Sequence, residues 1–126
     1  MKRLWISLAL LGLLFCGTLA NTAYLSSFTC EITDLLLLAE TKGEAGDWEA
    51  ASVLTKQARE HWESHSTYLH TTLRHADLDN VYLFFLQVEE FLDCQEGGEY
   101  SAANAALIGH LTLLREQEEL TIKNIL

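Results

Sequence analysis

The stretch that decides the fold runs from Met1 to Lys42 and reads MKRLWISLALLGLLFCGTLANTAYLSSFTCEITDLLLLAETK. After Lys2 and Arg3 it is apolar from Leu4 to Ala20, with Ser7 and Thr18 as the polar interruptions. Beyond Ala20 the apolar residues thin out and become periodic. Leu25, Phe28, Ile32, Leu35 and Ala39 recur at the 3,4 spacing of one helical face. No proline occurs anywhere in the 126 residues, and no glycine falls between Gly17 and Gly43. With no breaker at the junction, one helix is expected from about Leu4 to Lys42, roughly 58 Å long at 1.5 Å per residue. Its first half has the length and composition of a membrane span, and its second half is amphipathic.

Two readings of the first half compete. A secretory signal peptide has a basic start, an apolar stretch and small residues before the cut. Leu4 to Phe15 supplies the stretch, and Thr18-Leu19-Ala20 is a passable cleavage site that would release a secreted helical protein. A signal anchor needs about 20 residues to cross a hydrocarbon core of roughly 30 Å. Leu4 to Leu25 meets this, with Trp5 and Tyr24 at the two headgroup levels. The unbroken helical pattern past Leu25 favours the uncleaved anchor. Residues 1–25 are then the membrane anchor (or signal peptide) and residues 26–126 an extracytoplasmic helical domain. Lys2 and Arg3 precede the span, and the next basic residue is Lys42. That places the N-terminus in the cytoplasm of a single-pass cell-membrane protein and the domain outside. Cys16-Gly17 suggests a lipobox, but Phe15 stands where a small residue is needed.

Composition narrows the function classes. There are 18 acidic and 8 basic side chains, a formal charge of −10. From Asn21 onward 6 basic residues face 18 acidic ones, a net −12. Such a domain is not a nucleic-acid binder, and it is repelled by an anionic membrane surface. Seven glycines and no proline argue against a sandwich, a barrel or a disordered linker.

Working outward from Lys42, the turns announce themselves by glycine. Gly46-Asp47-Trp48 with Ala50-Ala51 recurs as Gly98-Glu99-Tyr100 with Ala102-Ala103, a weak internal repeat on the scale of a helical hairpin. Asp47 is a good N-cap. From it the seam Trp48, Ala51, Thr55, Ala58, Trp62, His65 and Leu69 reads as an amphipathic helix to about Leu73. The apolar set then changes phase to Leu78, Val81, Tyr82, Phe85, Val88 and Leu92, widened by Phe84 and Phe91. A break between Thr71 and Asp77 explains the shift, with Asp77 as the next N-cap. This third helix, to about Gln95, is expected to be the most buried. A last helix from Tyr100 to about Leu120 presents Ala103, Leu107, Leu111 and Leu114. The fold class is all-α: an N-terminal transmembrane helix continuous with antiparallel helical hairpins, or a four-helix bundle.

One further set of residues carries a resemblance. Lys-Arg before an anchor, Gly46-Asp47-Trp48 opening a helix, Trp62 near its end, His75-Ala76-Asp77-Leu78-Asp79 at the next entry, and the finish Leu120-Thr121-Ile122-Lys123-Asn124-Ile125-Leu126 stand together over the whole chain. The pattern resembles an uncharacterised family of small membrane proteins from Gram-positive, often spore-forming bacteria, domain-of-unknown-function family four-three-six-three. The resemblance implies an anchored helical protein without a known reaction. Cys30 and Cys94 depart from the pattern.

Residues that could carry chemistry are few. His61 and His65, four apart on one helix face, are the candidate metal pair, with Glu60 or Glu63 beside them. The order His61-Trp62-Glu63-Ser64-His65 does not place Glu next to the first His, as a metalloprotease helix requires. His65 also sits in the apolar seam, where a core histidine is the commoner outcome. His75 near Asp77 and Asp79 suggests a pH switch or a general base, against a plain helix start. Ser64 and Ser66 have no activating partner at a recognised spacing, and no phosphate-binding glycine loop is present. The sequence thus calls for no enzyme activity, no cofactor and no small-molecule substrate. Cys30 and Cys94 sit at different heights in a level bundle, so each is expected as a buried free thiol rather than half of a disulfide. Glu116, Glu118 and Glu119 read as a solvated face. The apolar tail either docks back between the helices or offers a strip to a partner. Partner-binding candidates are Trp48, Trp62, His75, Asp79, Ile122, Ile125 and Leu126. The expected role is an interaction or accessory module of the cell envelope, bound to another membrane or envelope protein. The alternative is a metal- or proton-responsive sensor using His61, His65, His70 and His75.

Overall fold

A computed structural model describes residues 1–65 and 75–125, with the side chains of His75, Glu118 and residues 121–125 left aside. Among these residues the chain forms four helices: α1 (Lys2–Glu44), α2 (Trp48–Ser64), α3 (His75–Asp93) and α4 (Gly97–Ile125). They form an antiparallel bundle in which α1 packs on α2 and α4, and α3 packs on α2 and α4. The all-α architecture with one continuous first helix is the expected one. At 43 residues α1 is about 64 Å long.

Burial divides α1 sharply. Residues 1–20 are exposed throughout, whereas Leu25, Phe28, Thr29, Ile32, Leu36, Ala39 and Gly43 are buried. Leu36 takes the deep position expected of Leu35, which flanks the core instead. The change from exposed to sheltered falls at Asn21, one residue past the candidate cleavage position. The exposed part is long and apolar enough to cross a membrane, by length and composition.

Ala51, Thr55, Ala58 and Trp62 of α2 line the core, and their small members let α1 approach closely. Opposite stand Leu78, Val81, Phe85, Val88 and Leu92 of α3, then Tyr100, Ala103, Leu107, Leu111 and Leu114 of α4. One member of the apolar set expected of α3 is corrected here. Tyr82 is exposed, at the edge of the face next to Glu89 and its partner Arg59, whereas Phe84 and Phe91, which widen the face, are half-buried against the core as expected.

Both upper turns close the same way. After α1, Gly46 N–H donates to Gly43 O (3.0 Å) and Asp47 N–H to Lys42 O (2.9 Å). After α3, Gln95 N–H donates to Leu92 O and Glu96 N–H to Phe91 O, each at 3.1 Å. These are paired Schellman closures with a left-handed residue at the centre, Gly46 (φ 85°) in one and Gln95 (φ 55°) in the other. Asp47 caps α2 as expected, accepting from Ala50 N–H at 3.2 Å. The last helix starts at Gly97, three residues earlier than the sequence repeat suggests, because Glu96 O receives its first helical bond from Tyr100 N–H (2.8 Å).

Other boundaries differ from expectation as well, and the last helix runs on to Ile125 rather than ending near Leu120. α2 ends at Ser64 rather than near Leu73. α3 is helical from His75, the first described residue after His65, so Asp77 lies inside the helix, in a first turn where its charge favours the helix dipole. Leu69, His70 and the Thr71–Arg74 part of the expected break lie outside the described residues.

Candidate functional site

The lower end of the bundle, from which the exposed half of α1 emerges, gathers the aromatic and titratable groups of α1 and α2. Phe28 is the hub. Its ring centroid lies 5.0 Å from that of His61, 4.5 Å from His65 and 5.8 Å from Trp62. Tyr24 stacks under Phe28 at 6.3 Å and touches His65 at 5.8 Å. His61 Nε2 meets Glu31 Oε2 at 2.9 Å, an ion pair whenever the imidazole is protonated. His65 Nδ1 lies 3.0 Å from the His61 carbonyl oxygen, and Ser64 Oγ donates to that same oxygen at 2.8 Å. Side chains therefore close the end of α2 in place of a glycine.

His61 and His65 are neighbours, with centroids 5.1 Å apart. The carboxylate that meets His61 is Glu31 of α1, not Glu60 or Glu63 of its own helix. Among the described residues no three His, Cys, Asp or Glu side chains converge as a metal site. Beside the pair runs a shallow groove of about 510 Å³ between α1 and α2, lined by Glu31, Asp34, Leu35, Leu38, Gln57 and His61.

The upper end is built by two aromatic residues that each cross to the other turn. Tyr100 lies against Gly43, where an added Cβ would stand 3.0 Å from Cε1. Trp48 lies against Gly97 and meets Tyr100 edge-on at 6.2 Å. The sequence repeat thus marks a pseudo-symmetric cap on the bundle. Burial, then the carboxylates of Glu40 and Glu44, push the Tyr100 hydroxyl up to about 12. Thr55 beside it opposes this, although among the described residues the buried Tyr100 hydroxyl makes no hydrogen bond.

Three polar links below the cap tie the helices together. Ser101 Oγ donates to Glu40 Oε1 at 2.6 Å, and Asn104 Nδ2 donates to Leu36 O at 3.1 Å. Arg59 Nη1 donates to Glu89 Oε2 at 2.9 Å between α2 and α3. Burial raises the Glu89 carboxyl above the usual carboxylate range despite Arg59 and Lys56, and Asp93 and Glu63 add to the rise.

Among the described residues, the partner candidates Trp48 and Trp62 stand at opposite ends of the bundle. Trp48 is half-buried at the upper end, while Trp62 is 4% exposed and belongs to the core at the lower end. Asp79 is exposed on α3. The side chains of His75, Ile122 and Ile125, and the whole of Leu126, lie outside the described residues. The cysteines are free thiols, as expected, but Cys30 and Cys94 are exposed rather than buried. Cys30 Sγ accepts from Arg115 Nη1 at 3.3 Å, and Cys94 Sγ donates to Glu90 Oε1 at 3.9 Å. Glu31, Arg115 and Asn104 were missed by sequence reasoning. Once helix directions are set, the antiparallel register alone brings Glu31 to the height of His61.

No curated protein and no solved structure matches the chain. A family model does match, over residues 19–125, which takes in all four helices but leaves out most of the exposed half of α1. The chain belongs to the family described as a domain of unknown function, DUF4363.

Proposed function

We propose that the protein is a single-pass membrane protein with its N-terminus in the cytoplasm and its helical domain outside, acting as an interaction or accessory module of the cell envelope and not as an enzyme. One observation carries this reading. The exposed apolar residues 1–20 and the buried residues Leu25 to Gly43 are parts of one uninterrupted helix. A rod of this kind fixes the height and tilt of the domain relative to the bilayer. A tethered enzyme gains little from that, whereas a protein that must meet a neighbour in the same membrane gains a defined docking geometry. The net −12 of the chain beyond Ala20 favours a partner with a basic face.

The test is cross-linking in cells that express the protein natively, followed by extraction in mild detergent. A discrete adduct with one membrane or envelope protein, lost when residues 1–20 are replaced by a cleavable leader, supports the reading. A chain that stays partnerless under native expression refutes it.

A second reading is supported by the contact of His61 with Glu31. An ion pair that joins α1 to α2 only when the imidazole is protonated is a means of sensing pH. The double variant His61→Ala, His65→Ala then loses a pH-dependent shift in melting, or loses retained metal. If neither property changes, the sensor reading fails.

A further inference from the structure

The register of α4 against α1 is set by three contacts: Ser101 with Glu40, Asn104 with Leu36, and Arg115 with Cys30. Antiparallel α-helices rise equally per residue, so below the lowest contact each step down α4 matches one step down α1. Continuing from the lowest contact, Leu120 comes level with about Leu25, and Ile125 with about Ala20. A hydrocarbon core of roughly 30 Å corresponds to about 20 helical residues. Counted from Leu4, it ends near Tyr24. The part of α4 beyond Leu120 therefore lies at or below the outer edge of the core that α1 would span.

Resting on the anchored reading, we propose that the lower end of α4, from Leu120 onward, enters the outer headgroup layer of the bilayer that α1 crosses, so that the protein meets its membrane through two helices. Leu120 is 55% exposed, a large apolar side chain left more than half open at this height. Asn21 and Thr22 of α1 are half-buried and Thr22 Oγ1 is fully sheltered, so the body of the bundle reaches down to the same level. Charge marks the boundary. Glu116 and Glu119 are exposed just above Leu120. Beyond it the sequence holds a single charged residue, Lys123, whose sign anionic lipids attract and whose long stem suits the interface. An acidic domain repelled by the membrane is thereby drawn to it at one point.

The test uses the full chain in mixed phosphatidylcholine–phosphatidylglycerol vesicles. Cys16, Cys30 and Cys94 are changed to Ser, and one environment-sensitive fluorophore is attached at Leu120→Cys, Leu113→Cys or Leu13→Cys in turn. Leu113 is the control, because it is also 55% exposed on α4 but stands about 10 Å higher. Nitroxide lipids labelled near the headgroup are expected to quench most of the emission at position 120 and little at 113, while deep nitroxides quench position 13. If position 13 is quenched and 120 behaves like 113, the proposal is overturned and the anchor stands. If position 13 is not quenched, the anchored reading fails and the proposal with it. A change at 120 that follows protein density and ignores the lipid nitroxides identifies a second copy as the occupant and also overturns it. Circular dichroism on each labelled variant establishes that the bundle is intact.

Discussion

Asn104→Leu should stabilise the protein. Asn104 is 0% exposed, and its side chain makes one hydrogen bond, from Nδ2 to Leu36 O. Its Oδ1 is buried without a partner among the described residues. The Leu36 carbonyl already lies within α1, so it is not orphaned when Asn104 is removed. An unsatisfied buried acceptor costs about 1–3 kcal/mol, and the hydrogen bond that is lost contributes about 1 kcal/mol. Leucine is close to asparagine in size and adds apolar burial to a site lined by the core. The balance favours the variant by about 1–2 kcal/mol, a rise of about 4–8 °C in Tm per kcal/mol for a domain of this size. Urea and thermal melts of the whole chain in mild detergent, followed by circular dichroism, read both quantities. Asn104→Asp is the companion variant, since a carboxylate there is a buried charge and should strongly destabilise. Loss of more than about 1 kcal/mol in Asn104→Leu would refute the reasoning, because it would mean that Oδ1 is satisfied and the polar layer is net stabilising.

Three further outcomes follow from particular sites. Gln95 holds a left-handed conformation (φ 55°) at the position where the other turn has Gly46, so Gln95→Gly should stabilise by about 0.5–1 kcal/mol in the same melts. Glu89 has a raised carboxyl in the folded chain, so the folded state holds the proton more tightly; its contribution is most favourable below the unfolded value and is lost as pH rises through the folded one. Glu89→Gln should therefore flatten the decline in stability above about pH 4.5 relative to the parent, measured as Tm against pH. Tyr100 is pushed up to about 12, so between its ordinary value near 10 and that point the unfolded chain ionises and the folded one does not. Stability should fall with rising alkalinity in that window, and Tyr100→Phe should remove the fall.

Much of the fold was legible because its signals are local and repeated. The absence of any breaker between Gly17 and Gly43 dictated a single α1. The seam Ala51, Thr55, Ala58, Trp62 dictated the buried face of α2. Gly46 and Asp47 marked the first turn by conformational freedom and capping. What escaped lacks a periodic signature. α2 stops at Ser64 because the Ser64 and His65 side chains bond back to the His61 carbonyl, a stop that uses neither glycine nor proline. Gln95 adopts the left-handed turn conformation that sequence reasoning assigns to glycine, so the neighbouring Gly97-Gly98 pair misdirected the helix start. Tyr82 sits at the edge of an apolar face, where periodicity alone cannot say whether a neighbour covers it. At the candidate site the proximity of His61 and His65 was legible from their spacing. The approach of Glu31 and the hub position of Phe28 depend on how α1 and α2 are set against each other.

The most direct measurement is the intact mass of the protein taken from native membranes. An uncleaved anchor predicts the whole chain, 14.2 kDa, in the membrane fraction and resistant to alkaline extraction. A species beginning at Asn21 and released to the supernatant would contradict it, leaving the four-helix domain intact but removing the rod on which the proposed role depends.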